Sequence, residues 1–132
     1  TATAGTGTAA MTSGEASSSI CPKGWKLPTQ AEYTTLKHKG AAKRGIWDSD
    51  SVTSGYWIGA STDNATGGAF WPAAGGYIND SVPDGVDTYG YYWSSTANDS
   101  SYAYRLIFYN TSMPYLSGYN KYAGFSVRCV AR

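Results

Sequence analysis

Charge is scarce in this chain. Asp, Glu, Lys and Arg make up 14% of its 132 residues, against roughly 25% in an ordinary soluble domain. The formal net charge is +1, which lacks the electrostatic footprint that nucleic acid or an anionic membrane requires. Long apolar runs are missing too. Nothing approaches the ~18 consecutive apolar residues of a membrane-crossing helix, so no direct membrane insertion is expected. The opening Thr1-Ala2-Thr3-Ala4-Gly5-Thr6-Gly7-Thr8 has neither the charged nor the apolar region of a signal peptide. Such a start is expected of a mature or excised part of a longer secreted chain.

Catalytic residue types are equally thin. The one histidine, His38, stands between Lys37 and Lys39, where flanking positive charge opposes the imidazolium and no acid is spaced to orient a base. No phosphate-cradling loop, zinc spacing or nucleophile elbow is present. No enzyme is expected.

What the chain does have is aromatic and small residues: 15% Phe, Trp and Tyr, with 16 glycines. Its length suits one domain, 1–132, with one real core. Six of the ten basic residues fall in Lys23–Arg44, and none lies between Arg44 and Arg105. That gap carries seven of the nine acids, namely Asp48, Asp50, Asp63, Asp80, Asp84, Asp87 and Asp99. A basic helix on one side and acidic surface loops on another follow as expectations. The two cysteines, Cys21 and Cys129, sit near opposite ends. They read as one clasp between the first and last strands, with two buried reduced thiols as the alternative. An even cysteine count and abundant Thr, Ser, Asn and Tyr favour an extracellular home.

Residues 1–19 read as an arm or edge strand. Thr29 followed by Glu32 is a capping box, predicting a helix over Ala31–Lys39 with Tyr33 and Leu36 as its buried stripe and Gly40 as its stop. A weaker helical or irregular piece follows over Ala41–Trp47. Short strands come next, at Tyr56–Ala60 and at Ala69–Ala74, where Pro72 argues for a sheet edge. Gly75–Tyr89 reads mostly as loop. Tyr91–Thr96, Ala103–Tyr109 and the Phe125–Val130 region read as strands, and 110–123 as a Tyr/Asn/Ser/Gly loop or hairpin. One early helix followed by short antiparallel strands and long loops makes the fold class α+β.

Four ordered blocks carry a family resemblance: Cys21-Pro22-Lys23-Gly24-Trp25-Lys26-Leu27-Pro28-Thr29, Phe70-Trp71-Pro72-Ala73-Ala74-Gly75, Tyr92-Trp93-Ser94-Ser95-Thr96 and Ser126-Val127-Arg128-Cys129. Together they resemble the Fibrobacter succinogenes major paralogous domain over roughly residues 20–130. The resemblance implies a C-type-lectin-like fold, tied by a disulfide, with its termini close together and a long ligand-carrying loop region. Gly55-Tyr56-Trp57-Ile58-Gly59-Ala60 is similar to the Trp-Ile-Gly block of C-type lectins. Trp25, Trp57 and Trp93 lie in framework blocks, which implies core packing for all three. Formylglycine-generating enzymes share a similar fold but need reactive cysteines, and here the implied bridge takes both. Lectins that bind sugar through calcium use a Pro-flanked acid loop and a later Asn-Asp pair. Asp84 after Pro83, with Asn98-Asp99, imitates these loosely, so calcium is the one cofactor entertained and Asp84, Asn98 and Asp99 are its weak candidates. Hard cations want six to eight oxygens, more than these three supply alone.

The tyrosines are the stronger lead. Nine of the twelve fall in 89–122, interleaved with Asn98, Asn110 and Asn120. Tyr offers large contact area, a hydroxyl and little conformational entropy to lose, which is why binding loops favour Tyr/Ser/Gly/Asn mixtures. Tyr91, Tyr92 and Tyr104 lie within strand patterns and are expected to be structural. Tyr102, Tyr109, Asn110, Tyr115, Tyr119, Asn120 and Tyr122 are the ligand-binding candidates. The expected function is that of an adhesin-type domain, part of a larger bacterial surface or secreted protein, gripping a glycan or a host or neighbour-cell protein. Two alternatives stand beside it. One is a receptor-binding protein diversified by a retroelement, since Asn, Tyr, Ser and Asp cluster where randomised Asn codons would put them. The other is a structural module of a surface fibre.

Overall fold

Thr29 starts the helix as its sequence dictates. Its hydroxyl accepts from the Glu32 N–H at 3.1 Å, while the Glu32 carboxylate accepts from the Thr29 N–H at 2.9 Å. Two of the helix's orphan donors are thereby satisfied, and α1 runs Gln30–His38. Replacing Thr29 by Ala is expected to cost about 1 kcal/mol in urea unfolding; an unchanged midpoint would show that the cap is idle. The computed structural model describes residues 11–45, 47, 54–59, 68–78 and 82–132. Residues 1–10 of the expected arm, and Asp48, Asp50, Asp63 and Asp80 of the expected acidic loops, lie outside the described residues.

Around α1 the described chain is mostly β. In order come β1 (Gly14–Glu15), β2 (Trp25–Lys26), β3 (Ala41–Arg44), β4 (Gly55–Ile58), β5 (Ala69–Pro72) and β6 (Ala74–Gly76). They are followed by β7 (Asp84–Val86), β8 (Tyr89–Ala97), β9 (Tyr102–Tyr109), β10 (Ser112–Asn120) and β11 (Val130–Ala131). The main sheet has the order β10-β9-β8-β6-β7, with β1 pairing the far end of β8. It is mixed, because β6 meets β8 in parallel at Gly75 and Gly90 while the other pairs are antiparallel. A second sheet has the order β3-β4-β5, which puts Pro72 on an edge strand where its missing N–H costs no ladder bond. A third consists of β11 on β2 alone.

One sequence expectation changes here, and one open choice closes. Ala41–Arg44 is not helical but pairs antiparallel with β4. Gly40, at φ 117°, turns the chain out of the helix, and the adjacent strand then captures residues whose own preference is helical. Of the loop and hairpin readings of 110–123 the hairpin holds, since 112–120 is a full strand paired with β9. Its Gly, Ser and Pro content hides a regular alternation of Tyr115, Ser117 and Tyr119 with Leu116, Gly118 and Asn120. Pro114 is accommodated because the β9–β10 register shifts between Ser112 and Tyr115.

Both faces of β8 are buried, each under its own layer. On one, Tyr92, Leu106 and Phe108 meet Tyr33 of α1 and Tyr56, Ile58 and Trp71 of the three-stranded sheet. The Tyr33 hydroxyl donates to the Trp93 carbonyl at 3.2 Å, and burial pushes its phenol pKa up. On the other, Tyr91, Trp93 and Ile107 are covered by Leu27 and by Phe125, whose ring centroid lies 4.8 Å from Tyr91 and 4.7 Å from Trp93. Ser126 holds the strap 121–129 in place, donating its N–H to the Tyr91 carbonyl and accepting from the Trp93 N–H, each at 3.1 Å. Cys21 and Cys129 are bridged, with Cα atoms 5.8 Å apart, which settles the open choice in favour of the clasp.

Asp87 is a correction to the expected acidic surface. It is fully buried with φ 60°, and its carboxylate accepts from the Ser54 N–H at 3.0 Å. Trp25 corrects the expected core packing: on the two-residue ladder of β2 and β11 it is 47% exposed. Trp57 is half-buried and Trp93 is fully buried.

Candidate binding site

The seven predicted ligand-binding residues all fall on or beside the β9–β10 hairpin, but period-two alternation divides them. Tyr109, Tyr115 and Tyr119 share the face covered by Phe125. The register places Tyr115 opposite Ile107, Ser117 opposite Arg105 and Tyr119 opposite Ala103. Tyr102 and Asn120 stand opposite each other on the other face, at the open end of the hairpin. Asn110 is at the tip, where its amide oxygen and carbonyl both accept from the Lys43 ammonium, at 3.1 and 3.2 Å. That contact anchors the hairpin tip to β3.

The open end forms a pocket of about 310 Å³ lined by Ile78, Tyr102, Gly118, Tyr119, Asn120 and Tyr122. Four of the seven candidates therefore come together. Two supply free aromatic surface, Tyr102 at 42% exposed and Tyr122 at 85%. Asn120 shapes the turn, accepting at its side-chain oxygen from the Tyr122 N–H at 2.9 Å. Asp99 fixes the other rim, since one carboxylate oxygen accepts from the Ser101 and Tyr102 N–H groups at 2.7 and 2.8 Å. Both are Asx turns of the kind these side chains favour.

Tyr119 connects this pocket to a second feature. Its ring centroid lies 4.1 Å from the Arg105 guanidinium carbon, with Tyr91 at 4.8 Å and Phe125 at 5.1 Å. Arg105 is only 8% exposed, and its Nε and Nη1 have no hydrogen-bond partner; nor does the buried Ser117 hydroxyl opposite it. Burial pulls the guanidinium pKa down, while the Tyr91, Tyr119 and Tyr115 phenols oppose that shift. Burial likewise pushes the Tyr91 phenol up to about 12. Tyr115 is raised by burial and by its neighbour Tyr109.

Sequence reading missed Ile78, Arg105 and Ser117. Ile78 was hidden in the expected loop 75–89. Arg105 carried a usable signal, because it sits in the Ala103, Ile107, Tyr109 stripe, where a charge is out of place. Asp84 does not join Asn98 and Asp99. β7 is tied through β6 to the Gly90 end of β8, whereas Asn98 follows the opposite end, roughly 25 Å away at strand rise. Among the described residues no three His, Cys, Asp or Glu side chains gather in one place. Among them, too, no helix is long and apolar enough to cross a membrane.

Compared with known proteins, the chain matches the profile of the family described as the Fibrobacter succinogenes major domain over residues 8–131. No curated protein and no solved structure matches it.

Proposed function

We infer that this chain, which belongs to the Fibrobacter succinogenes major domain family, is an extracellular binding module of a bacterial surface or secreted protein, of C-type-lectin-like architecture, that takes a glycan at the open end of the β9–β10 hairpin. The observation that carries this reading is the pocket itself. Two exposed tyrosine rings, a third half-buried one and an asparagine converge on one concavity. Ring faces suit the C–H faces of a sugar, and amide and phenol groups suit its hydroxyls. Among the described residues the lining has no histidine, acid, serine or cysteine, which supports a docking role. The disulfide supports an oxidising compartment.

Tyr102→Ala and Tyr122→Ala test this on a glycan array and by titration calorimetry. Each is expected to weaken binding about thirtyfold, the effect of losing roughly 2 kcal/mol of aromatic contact. Stability should hold within about 0.5 kcal/mol, because Tyr122 and much of Tyr102 face solvent. Retained binding in the double variant would discard the site.

A further inference from the structure

We propose that Arg105 and Ser117 form an anion subsite beside the pocket, so that the glycan recognised here is an acidic one, carrying carboxylate or sulfate groups. This rests on the binding reading above and gives it a chemical class. Four observations converge on it. Arg105 is more than nine-tenths buried on the same face as Tyr115, Ser117 and Tyr119, all three of which border solvent. Among the described residues no carboxylate lies within ion-pair distance of it. Its Nε and Nη1 and the Ser117 hydroxyl, side by side on adjacent strands, are all unpartnered. Finally, the Tyr119 ring that packs on the guanidinium also lines the pocket, so pocket and cation share a wall.

The surrounding rings account for only part of this arrangement. Tyr119, Tyr91 and Phe125 attract the charge through their ring faces, but a ring face accepts no ordinary hydrogen bond. The Tyr91 phenol also hydrogen-bonds the guanidinium, but Nε and Nη1 still lack acceptors, and a buried charge with donors left unmatched is disfavoured. An apolar side chain of similar length would fill the space between the rings without that penalty. An acidic group entering past Tyr115 and Tyr119 would take the open N–H donors and the Ser117 hydroxyl, while the attached sugar ring lies against Tyr119. Oxyanions are what guanidinium groups bind most strongly, and a desolvated site strengthens the contact.

The test compares ligands that differ in charge alone. Oligogalacturonate, its full methyl ester, a sulfated galactan oligosaccharide and the neutral galactan are titrated into the intact protein while the Arg105 Nε–Hε resonance is followed by NMR. The acid forms are expected to bind at least tenfold more tightly than their neutral counterparts and to move that resonance. Which acid is preferred separates carboxylate from sulfate. Arg105→Met should remove the preference for acid, and Arg105→Lys should keep part of it. The wild-type comparison stands even if Arg105→Met fails to fold. Equal binding of acid and neutral forms through Tyr102 and Tyr122, with the Arg105 resonance unmoved, would overturn the anion subsite and leave the pocket intact. No binding by any member of the set would overturn both.

Discussion

Replacing Cys21 and Cys129 together by serine is expected to cost the fold up to ~4.7 kcal/mol, the chain-entropy value for a loop of about 100 residues. For a protein of this size that is a fall in Tm of roughly 15 °C, read by calorimetry, and reduction of the natural protein should reproduce it. The value is large because the bridged loop is long; beside the bridge, Arg128 donates to the Phe70 carbonyl and lies over the Trp71 ring. β11 meets β2 at two residue pairs, Val130 with Lys26 and Ala131 with Trp25. The clasp spans a separation of 108 residues and anchors the strap that carries Phe125 over Tyr91 and Trp93. Losing it should therefore speed amide exchange first in 121–131 and expose Trp93 to solvent, seen as a red-shifted emission. A shift of under about 2 °C would mean that strap packing alone holds the end in place.

The second large effect lies on the opposite face of β8. A Cβ added at Gly90 would fall 2.0 Å from Cζ of Phe108, with two more ring atoms of Phe108 within 2.5 Å. Phe108 is fully buried and packs edge-on against Tyr56 at 5.2 Å, so it has nowhere to retreat. Gly90→Ala should destabilise by about 1–3 kcal/mol through overpacking. Phe108→Ala should cost about 3–5 kcal/mol, through lost burial and the cavity left behind. In the double variant the new methyl enters the space that the ring vacates, so the combined loss should fall short of the sum by about 1 kcal/mol or more. Strict additivity in urea unfolding would show that the sheet relaxes around Gly90 and that the close approach carries no constraint.

How much of this was legible depended on whether the signal was local. The capping box, α1 with its buried Tyr33, and the strand character of Tyr91–Thr96 and Ala103–Tyr109 come from neighbours in sequence, and the structure keeps them. Ala41–Arg44 was illegible because its conformation is imposed from outside by β4. β10 was obscured by residues that individually disfavour strands, although Tyr115, Ser117 and Tyr119 alternate correctly. The site divides along the same line. Composition was enough to find the tyrosine-rich stretch, and the pocket does gather Tyr102, Tyr119, Asn120 and Tyr122. Composition could not show that Tyr109 and Tyr115 face away from Tyr102, which follows only from the register of a hairpin not expected to be regular. The partnering of Arg105 is a tertiary fact, since Tyr91, Tyr119 and Phe125 reach it from three segments.

The register offset at Pro114 has a consequence beyond its own strand. β10 is the outermost strand of the main sheet, so along its outer rim backbone donors and acceptors face no neighbouring strand of that sheet. A straight, uninterrupted rim of that kind invites another chain to add on edge to edge. Here the imino ring and the bulge beside it break the row near its start. Copies crowded side by side would thus meet through their side chains and keep their backbones apart.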